Sequence, residues 1–169
     1  PMNVVTDGIS LLWRLFMDGK RVPAEAWHEI SNYSQKAFPT AGVSFADAHM
    51  GLLAAATGNE IELDRRTNEL DERLTQGTLA AGPVVVAICR AAQAFASEDY
   101  RKCTSILAPM VNEIVRIGGS HAQREVFEDT LIVALIRSGE LGQARLTLEK
   151  RLHRRPSRQH DNWLAQPQG

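Results

Sequence analysis

The sequence predicts an all-α protein, an α–α superhelix of about four helical hairpins. Its turn signals are evenly spaced, since Gly19, Gly58, Glu98 and Gly139 follow one another after 39, 40 and 41 residues. Such spacing is typical of proteins built from stacked repeats. Each interval holds two segments in which apolar residues recur every three or four positions, as they do along a helix with one buried face. Two helices per interval make four hairpins.

Caps and helix breakers place the ends of eight helices. Proline is favoured at a first helical position because its missing N–H would have no partner there, and Pro23 and Pro83 suit that place. Residues 44–47 and 120–123 both fit a capping box, in which a serine and the residue three positions later bond to free amides. The predicted helices span about 7–18, 23–37, 44–57, 60–76, 83–97, 99–117, 120–138 and 140–155. They pair as the hairpins 7–37, 44–76, 83–117 and 120–155.

The apolar residues are distributed differently along these helices. Residues 44–57 and 83–97 are apolar or small on nearly every side, which predicts helices packed between neighbours. Residues 60–76 carry a single apolar stripe, and Arg66 falls on the side expected to face solvent. Pro109 is expected to break the sixth helix, because proline removes one backbone bond and clashes one turn back.

Composition and charge fit one domain, residues 1–156, with a basic and polar tail over residues 157–169. Apolar residues make up 44% and charged residues 23%, and the net charge of −1 predicts no strong attraction of the whole chain to nucleic acid or to a membrane. Cys89 and Cys103 are too few for a secreted scaffold held by disulfides, so the cytoplasm is the expected location. The tail is either disordered or docks back on the helices.

The last hairpin carries a recognisable pattern of small residues. After the turn at Gly139, Ala144 stands where two helices must approach closely, Leu148 follows four residues later, and Pro156 closes the unit. This pattern resembles the tetratricopeptide repeat. The spacing near 40 is longer than the usual repeat of about 34 residues, which indicates divergent units.

Three longer segments, residues 12–19, 45–49 and 117–127, resemble the C-terminal half of the tetratricopeptide repeat protein 38 family. The most specific of them is the stretch Gly-Gly-Ser-x-Ala-Gln-Arg that begins at Gly118. Two residues stand where the family usually has asparagine and aspartate, namely Ala46 and Glu125. The resemblance implies a helical-repeat fold and a chain without the N-terminal repeats of its longer relatives. It implies no particular activity.

His49 is the first candidate binding residue. It lies beside Phe45 and near Asp47 on an almost wholly apolar helix. One hypothesis makes it a ligand-facing histidine on the inner surface of the superhelix. The hypothesis that we favour is a buried histidine that hydrogen-bonds to a neighbouring helix, because buried polar groups normally find partners.

The start of the seventh helix is the second candidate. Free N–H groups at a helix start, with His121 and Arg124 beside them, would suit an anion or a peptide carboxylate. The simpler interpretation, which we favour, is that two glycines end one helix, Gln123 takes part in the next cap, and Arg124 pairs with Glu128 four residues on.

Trp13 and Arg14 on the first helix are further candidates. They are either anchors of an interface with a partner or residues that cover the exposed end of the stack. If preceding repeats are missing, Leu11, Leu15 and Phe16 are expected to form an exposed apolar patch through which the chain forms a homodimer.

The final helix and tail are basic, and only Glu149 opposes the positive charges nearby. Positive charge near a helix C-terminus is favourable by itself, and the absence of interleaved aromatic residues argues against a nucleic-acid partner. These basic residues are Arg145, Lys150, Arg151, Arg154, Arg155 and Arg158. No motif of a zinc protease, phosphate-binding loop, Cys-x-x-Cys pair or nucleophile elbow occurs, so the sequence predicts no enzyme, cofactor or metal.

The sequence therefore predicts a scaffold that binds a protein or peptide through the concave face of its inner helices and has no membrane partner. Two alternatives remain open: a small-molecule or unrecognised enzymatic site around His49 and His121, and a purely structural C-terminal cap of a longer solenoid. The predicted contact residues are Trp13, Arg14, Asp47, His49, His121, Gln123 and Arg124.

Overall fold

The computed structural model describes residues 1–154, Pro156 and Trp163, so most of the predicted tail lies outside the described residues. The described part is all-helical, as the sequence predicts, and contains eight α-helices, one 3-10 helix and no strand. The α-helices are α1 (Met2–Met17), α2 (Ala24–Ala37), α3 (Ser44–Ala56), α4 (Glu60–Thr75), α5 (Val84–Ala96), α6 (Tyr100–Leu107), α7 (His121–Arg137) and α8 (Leu141–Arg154). The 3-10 helix spans Ala108–Ile117.

Each odd-numbered helix contacts the helix that follows it, and the odd-numbered helices also contact one another in the order α1, α3, α5, α7. Most residues of α3 and α5 are buried, which confirms that these two helices lie between neighbours. In addition, α1 contacts α7 directly. The side of α1 that carries Trp13 therefore belongs to the protein interior.

The four evenly spaced turn positions share one backbone conformation. Gly19, Gly58, Glu98 and Gly139 have φ values of 67°, 64°, 60° and 82°. After each of them, the amide of the next residue donates to the carbonyl five residues earlier. This bond gives a partner to a carbonyl that would otherwise be free in the last turn of the helix, as in a Schellman motif. Glycine has no Cβ to oppose this left-handed conformation. Glu98 is the one residue other than glycine that adopts a positive φ in the described part of the chain.

The first helix begins earlier than the sequence predicts. We expect it over residues 7–18, but α1 starts at Met2 and passes through Gly8 without a break. A Cβ atom at Gly8 would lie 3.0 Å from Cδ1 of Ile30 on α2. Gly8 therefore allows α1 and α2 to pack closely at a position inside α1, and the predicted start of this helix was wrong.

The predicted break in the sixth helix is confirmed. The α-helical part ends at Leu107, and the chain continues as the 3-10 helix from Ala108. Pro109 lies near the start of that second part and has no N–H for the bond that an α-helix would require.

Only one of the two predicted capping boxes forms. The Ser120 side chain accepts a bond from the Gln123 amide, and the Gln123 side chain accepts one from the Ser120 amide. Ser44 lies inside α3 instead, and no side chain caps that helix start. The prediction for residues 44–47 was wrong because Asp47 bonds elsewhere, as described below.

The helices α3 and α5 approach each other closely at Gly51. A Cβ atom there would lie 2.6 Å from Sγ of Cys89. Cys89 and Cys103 are both free and buried, as expected for cysteines on apolar helix faces. Burial raises the pKa of each thiol to about 12.

Candidate binding groove at the ends of α1 and α7

Trp13 is fully buried, so both predicted surface roles for it were wrong. Its Nε1–H donates to Oγ1 of Thr130 on α7 at 2.8 Å. Its ring packs on Phe16 and Phe95, with centroid distances of 5.3 and 5.5 Å. The partner on α7 lies 117 residues away in sequence, so no local pattern along α1 indicates it.

Asp47 and Arg66 form a buried ion pair, so the predictions of a partner-contacting aspartate and a solvent-facing arginine were both wrong. Nη1 of Arg66 lies 2.6 Å from Oδ1 of Asp47, and the amide of Gly42 donates to Oδ2 at 2.9 Å. Burial raises the pKa of the Asp47 carboxyl, and the bonds from Gly42 and Arg66 oppose that rise. Nη2 of Arg66 also donates to the carbonyl of Phe38 at 2.7 Å. The pair thus joins α3, α4 and the loop between α2 and α3.

His49 is fully buried, which confirms the burial that the favoured hypothesis predicts but not its hydrogen-bond partner. Its Nδ1–H donates to the Phe45 carbonyl at 2.7 Å, so its partner lies in its own helix and not in a neighbouring one. The ring lies between Phe45 and Phe127, at centroid distances of 4.8 and 5.1 Å, and Nε2 has no hydrogen-bond partner among the described residues. Burial lowers the pKa of His49 to about 4. A neutral imidazole in this position cannot contact a partner at the surface.

Arg14 and Gln123 connect α1 to α7. Nε of Arg14 lies 3.2 Å from Oδ2 of Asp129, and the Gln123 side-chain amide donates to Oδ1 of Asp7 at 3.3 Å. Both predicted contact residues therefore help to close the contact between the two helices.

Arg124 turns back onto the end of the preceding helix. Its guanidinium donates to the carbonyl of Gly118 at 3.1 Å and also to that of Gly119. The predicted pair between Arg124 and Glu128 was therefore wrong. The two glycine carbonyls are satisfied by an arginine side chain, which gives Arg124 a structural role at the start of α7.

The two histidines of the alternative site have different surroundings. His121 is exposed, with its Nδ1 atom 3.5 Å from a Glu125 oxygen and its Nε2 atom 3.5 Å from Arg154. His49 lies in the core against Phe127. The structure thus places one histidine at the surface and the other in the interior.

The expectation that only Glu149 opposes the positive charges of the last helix was wrong for Arg151, whose side chain is 2% exposed. Its guanidinium lies 2.8 Å from Glu125, 2.8 Å from Glu128 and 3.6 Å from Asp129. Three carboxylates on α7 therefore neutralise it. The basic character that the sequence suggests for α8 is largely cancelled on this side.

The predicted apolar patch on α1 is partly exposed. Leu11 and Val4 are 59% and 58% exposed, whereas Leu15 and Phe16 are half-buried. Homodimer formation through this surface stays a prediction.

Two adjoining cavities lie where α1, α5 and α7 end, and both are lined by Lys20 and Arg137. The first, which we name the aromatic cavity, has a volume of about 530 Å³ and is lined by Phe16, Gly19, Lys20, Phe95, Ala96, Glu98, Tyr100 and Arg137. The second, the tryptophan cavity, has a volume of about 400 Å³ and is lined by Met17, Asp18, Lys20, Val133, Ile136, Arg137 and Trp163. We call the two together the α1–α7 groove.

Arg137 is held at the junction of the two cavities. Its guanidinium carbon lies 5.4 Å from the ring centroid of Phe95 and 5.3 Å from that of Tyr100, which is within the range of a cation–π contact. It also donates to the Tyr100 hydroxyl at 3.1 Å and to the carbonyl of Met17 at the end of α1. A cation is therefore fixed between two aromatic rings and remains exposed to solvent.

Glu98 lines the aromatic cavity and carries the positive φ described above. The left-handed conformation costs a residue with a Cβ atom about 1–2 kcal/mol, and the three equivalent turns avoid this cost with glycine. Strained residues of this kind concentrate at functional sites. The even spacing in the sequence carries this signal, because it places a glutamate where the other turns have glycine.

The charges of the α1–α7 groove alternate. Lys20 and Arg137 lie at the junction, and each cavity adds one carboxylate, Glu98 in the aromatic cavity and Asp18 in the tryptophan cavity. The walls between these charges are aromatic or aliphatic. Such a site suits a ligand with an apolar anchor and a charged group that meets the cations.

The comparisons with known proteins do not extend this description. No family model matches the chain, and no solved structure matches it.

Neither a metal site nor a membrane-spanning helix is found among the described residues. Over residues 1–154, Pro156 and Trp163, no group of three or more histidine, cysteine, aspartate and glutamate side chains is arranged to hold a metal ion. None of the helices in that same part of the chain is both long enough and apolar enough to span a membrane.

Proposed function

We propose that this chain is a helical interaction module that binds a segment of a protein partner in the α1–α7 groove. The observation that carries the proposal is the pair of cations, Lys20 and Arg137, at the junction of two cavities with apolar walls. Clefts with apolar walls and a few fixed polar groups are the usual binding sites of proteins. The proposed role is the one that the sequence predicts. The site differs, because Trp13 and His49 of the predicted concave face are buried.

The proposed ligand is a peptide segment with a large apolar or aromatic side chain close to a carboxylate. The apolar side chain would enter one of the cavities, whose walls include Phe16 and Tyr100 on one side and Ile136 on the other. The carboxylate would pair with Lys20 and Arg137. Arginine bound to an aromatic ring keeps its N–H donors in a fixed plane, which suits a carboxylate.

Glu98 supports this location for the site. A glutamate that keeps a left-handed conformation lowers stability, and strain of this kind concentrates at functional sites. Its carboxylate lines the same cavity as Lys20 and Arg137, where it would select against a second acidic group or accept a bond from the peptide backbone.

The proposal includes a relationship to the tetratricopeptide repeat protein 38 family and a location in the cytoplasm. Four turns with the same left-handed backbone, spaced 39 to 41 residues apart, support the origin of the chain from repeated units. Two free, buried cysteines are compatible with a reducing compartment. The proposal assigns no catalytic step, cofactor or metal to the chain.

The test is selection of binding peptides from a displayed random library with the full chain as the target. We expect the selected peptides to pair an aromatic or large aliphatic residue with a nearby aspartate or glutamate. Binding should weaken about tenfold or more in Lys20→Glu, because a cation at the junction becomes an anion. Lys36→Glu on α2 is the matched control, since this lysine is also exposed but lies outside the groove.

Two outcomes oppose the proposal. One is a library that yields no peptide whose binding depends on Lys20. The other is peptides whose binding is lost in Arg124→Ala at the start of α7 and kept in Lys20→Glu, which would restore the site that the sequence predicts there. Equal helical circular dichroism of all variants ensures that the comparison concerns binding and not folding.

A further inference from the structure

We infer that the chain carries an internal ligand of its own groove, in which Trp163 anchors the C-terminal segment over the tryptophan cavity and competes with an external peptide. The inference deepens the proposed function and rests on it for the identity of the competing ligand. Its starting point is one contact. The Trp163 ring is half-buried, packs against the hydrophobic core and forms a wall of the cavity together with Met17, Val133 and Ile136.

The chain between α8 and Trp163 is long enough for this return. Arg154 lies near the start of α7, because its guanidinium is 2.9 Å from Glu128 and 3.5 Å from His121. Ile136 lies eight residues beyond Glu128, which is an axial rise of about 12 Å along a helix. Trp163 follows Arg154 by nine residues, and nine residues reach at most about 30 Å. A contact at the far end of α7 is therefore within reach of Trp163.

Tryptophan is well suited to such an anchor. Its ring buries a large apolar area at the cost of only two side-chain torsions, and its N–H can remain in contact with a polar neighbour. A single anchor of this kind must also offset the entropy lost when the chain around it becomes ordered. The expected contact is therefore reversible, unlike the buried Trp13, whose ring and N–H are both enclosed by the core.

The sequence around Trp163 matches the ligand proposed above. Asp161 precedes the tryptophan by two residues, so an aromatic anchor and a carboxylate occur together in the tail. Lys20 and Arg137 line the same cavity as Trp163, which forms one of its walls. The same two cations would thus serve an external peptide and the tail, so the two segments would compete for Lys20 and Arg137 beside the wall that Trp163 forms.

The experiment measures binding of a fluorescent synthetic peptide with the sequence of residues 157–169 to the full chain by fluorescence polarisation. A tail that is covalently attached competes at an effective concentration in the millimolar range. We therefore expect the peptide to bind the Trp163→Ala chain about tenfold more tightly than the native chain. The same peptide with Trp163→Ala should not bind. Lys20→Glu added to the Trp163→Ala chain should weaken binding, whereas Lys36→Glu should not.

Equal affinity for the native and the Trp163→Ala chain would overturn the inference, and so would binding that is insensitive to Lys20→Glu. The result also separates the two proposals. If the library-selected peptides bind native and Trp163→Ala chains equally, the groove binds peptides but the tail is not its ligand. If neither those peptides nor the tail peptide binds either chain, both proposals fail. Trp163 is only half-buried, so the substitution is expected to leave the helical circular dichroism unchanged.

Discussion

Some of the same helices form both the interior between α1, α3 and α7 and the α1–α7 groove. The polar side chains of the two regions differ in burial and in pairing. In the interior, Trp13 donates to Thr130 and Asp47 pairs with Arg66, and all four side chains are buried. In the groove, Lys20 and Arg137 are exposed beside open volume. Polar residues in the first region stabilise the fold, and those in the second remain available to a ligand.

The difference shows that polar residues on an inner helix do not by themselves define a binding surface. Direct contact of α1 with α7 converts that surface into core. Four substitutions or conditions, taken from the largest expected effect to the smallest, test whether the interior is structural and the groove is not.

Asp47→Ala should lower the free energy of unfolding by about 3 kcal/mol, the lower end of the range for a broken buried pair, because the buried charge of Arg66 then keeps only Glu62 as its ionic partner. Denaturant unfolding measures the change. Asp71→Ala is the control: its partner Arg90 is exposed, and such a pair contributes at most about 1 kcal/mol. Similar losses in both variants would mean that the buried pair has no special structural role.

Acidification should destabilise the protein through His49. The pKa of this histidine is about 4 in the folded state, below the value of 6.5 that applies to the unfolded chain. Its contribution to stability is therefore complete above pH 6.5 and declines as the pH falls toward 4, because only the unfolded state binds a proton in that range. Between pH 7.5 and 5 the loss is about 2 kcal/mol.

Denaturant unfolding at several pH values between 7.5 and 5 measures this slope. Two charged residues affect the pKa of His49 in opposite directions, since Asp7 raises it and Arg14 lowers it. The slope should be smaller in His49→Gln and unchanged in His121→Gln, whose side chain is exposed in the native protein. A slope that survives in His49→Gln would assign the pH dependence to other groups.

Glu98→Gly should raise the free energy of unfolding by about 1 kcal/mol, because glycine adopts the left-handed conformation without a Cβ clash. The midpoint of thermal unfolding reports the gain. If Glu98 also serves the groove, the same variant should change the affinity for selected peptides. A more stable variant with unaltered peptide binding would remove Glu98 from the proposed site.

Lys20→Glu should change the free energy of unfolding by less than about 0.5 kcal/mol, since this exposed side chain lies beside open volume. The comparison with its expected loss of peptide binding separates function from stability. A loss above about 1 kcal/mol would indicate that Lys20 belongs to the structural part of the molecule.

The local features of the fold could be predicted from the sequence, whereas contacts between distant segments could not. Helical periodicity located all eight helices, and Pro109 located the change within the sixth. The ionic partners of Arg66 and Arg151 could not be predicted. Each arginine lies on an apparently polar helix face, and Asp47 is 19 residues from Arg66 while Glu128 is 23 residues from Arg151.

The same difference between local and distant features applies to the candidate site. The α1–α7 groove combines side chains from α1, from the turn after α5 and from α7, which are about 40 to 120 residues apart. No single stretch of sequence carries that arrangement. Glu98 is the exception, because its position among three equivalent glycines is visible in the sequence alone.

Because Gly51 and Cys89 approach each other closely, the Cys89 thiol can serve as a probe for the separation of α3 and α5. With a pKa near 12 and no exposed surface, the sulfur cannot react with an alkylating reagent until α3 and α5 move apart. The rate at which the reagent modifies Cys89 in the native chain therefore reports how often the two helices separate, and no residue has to be introduced for the measurement.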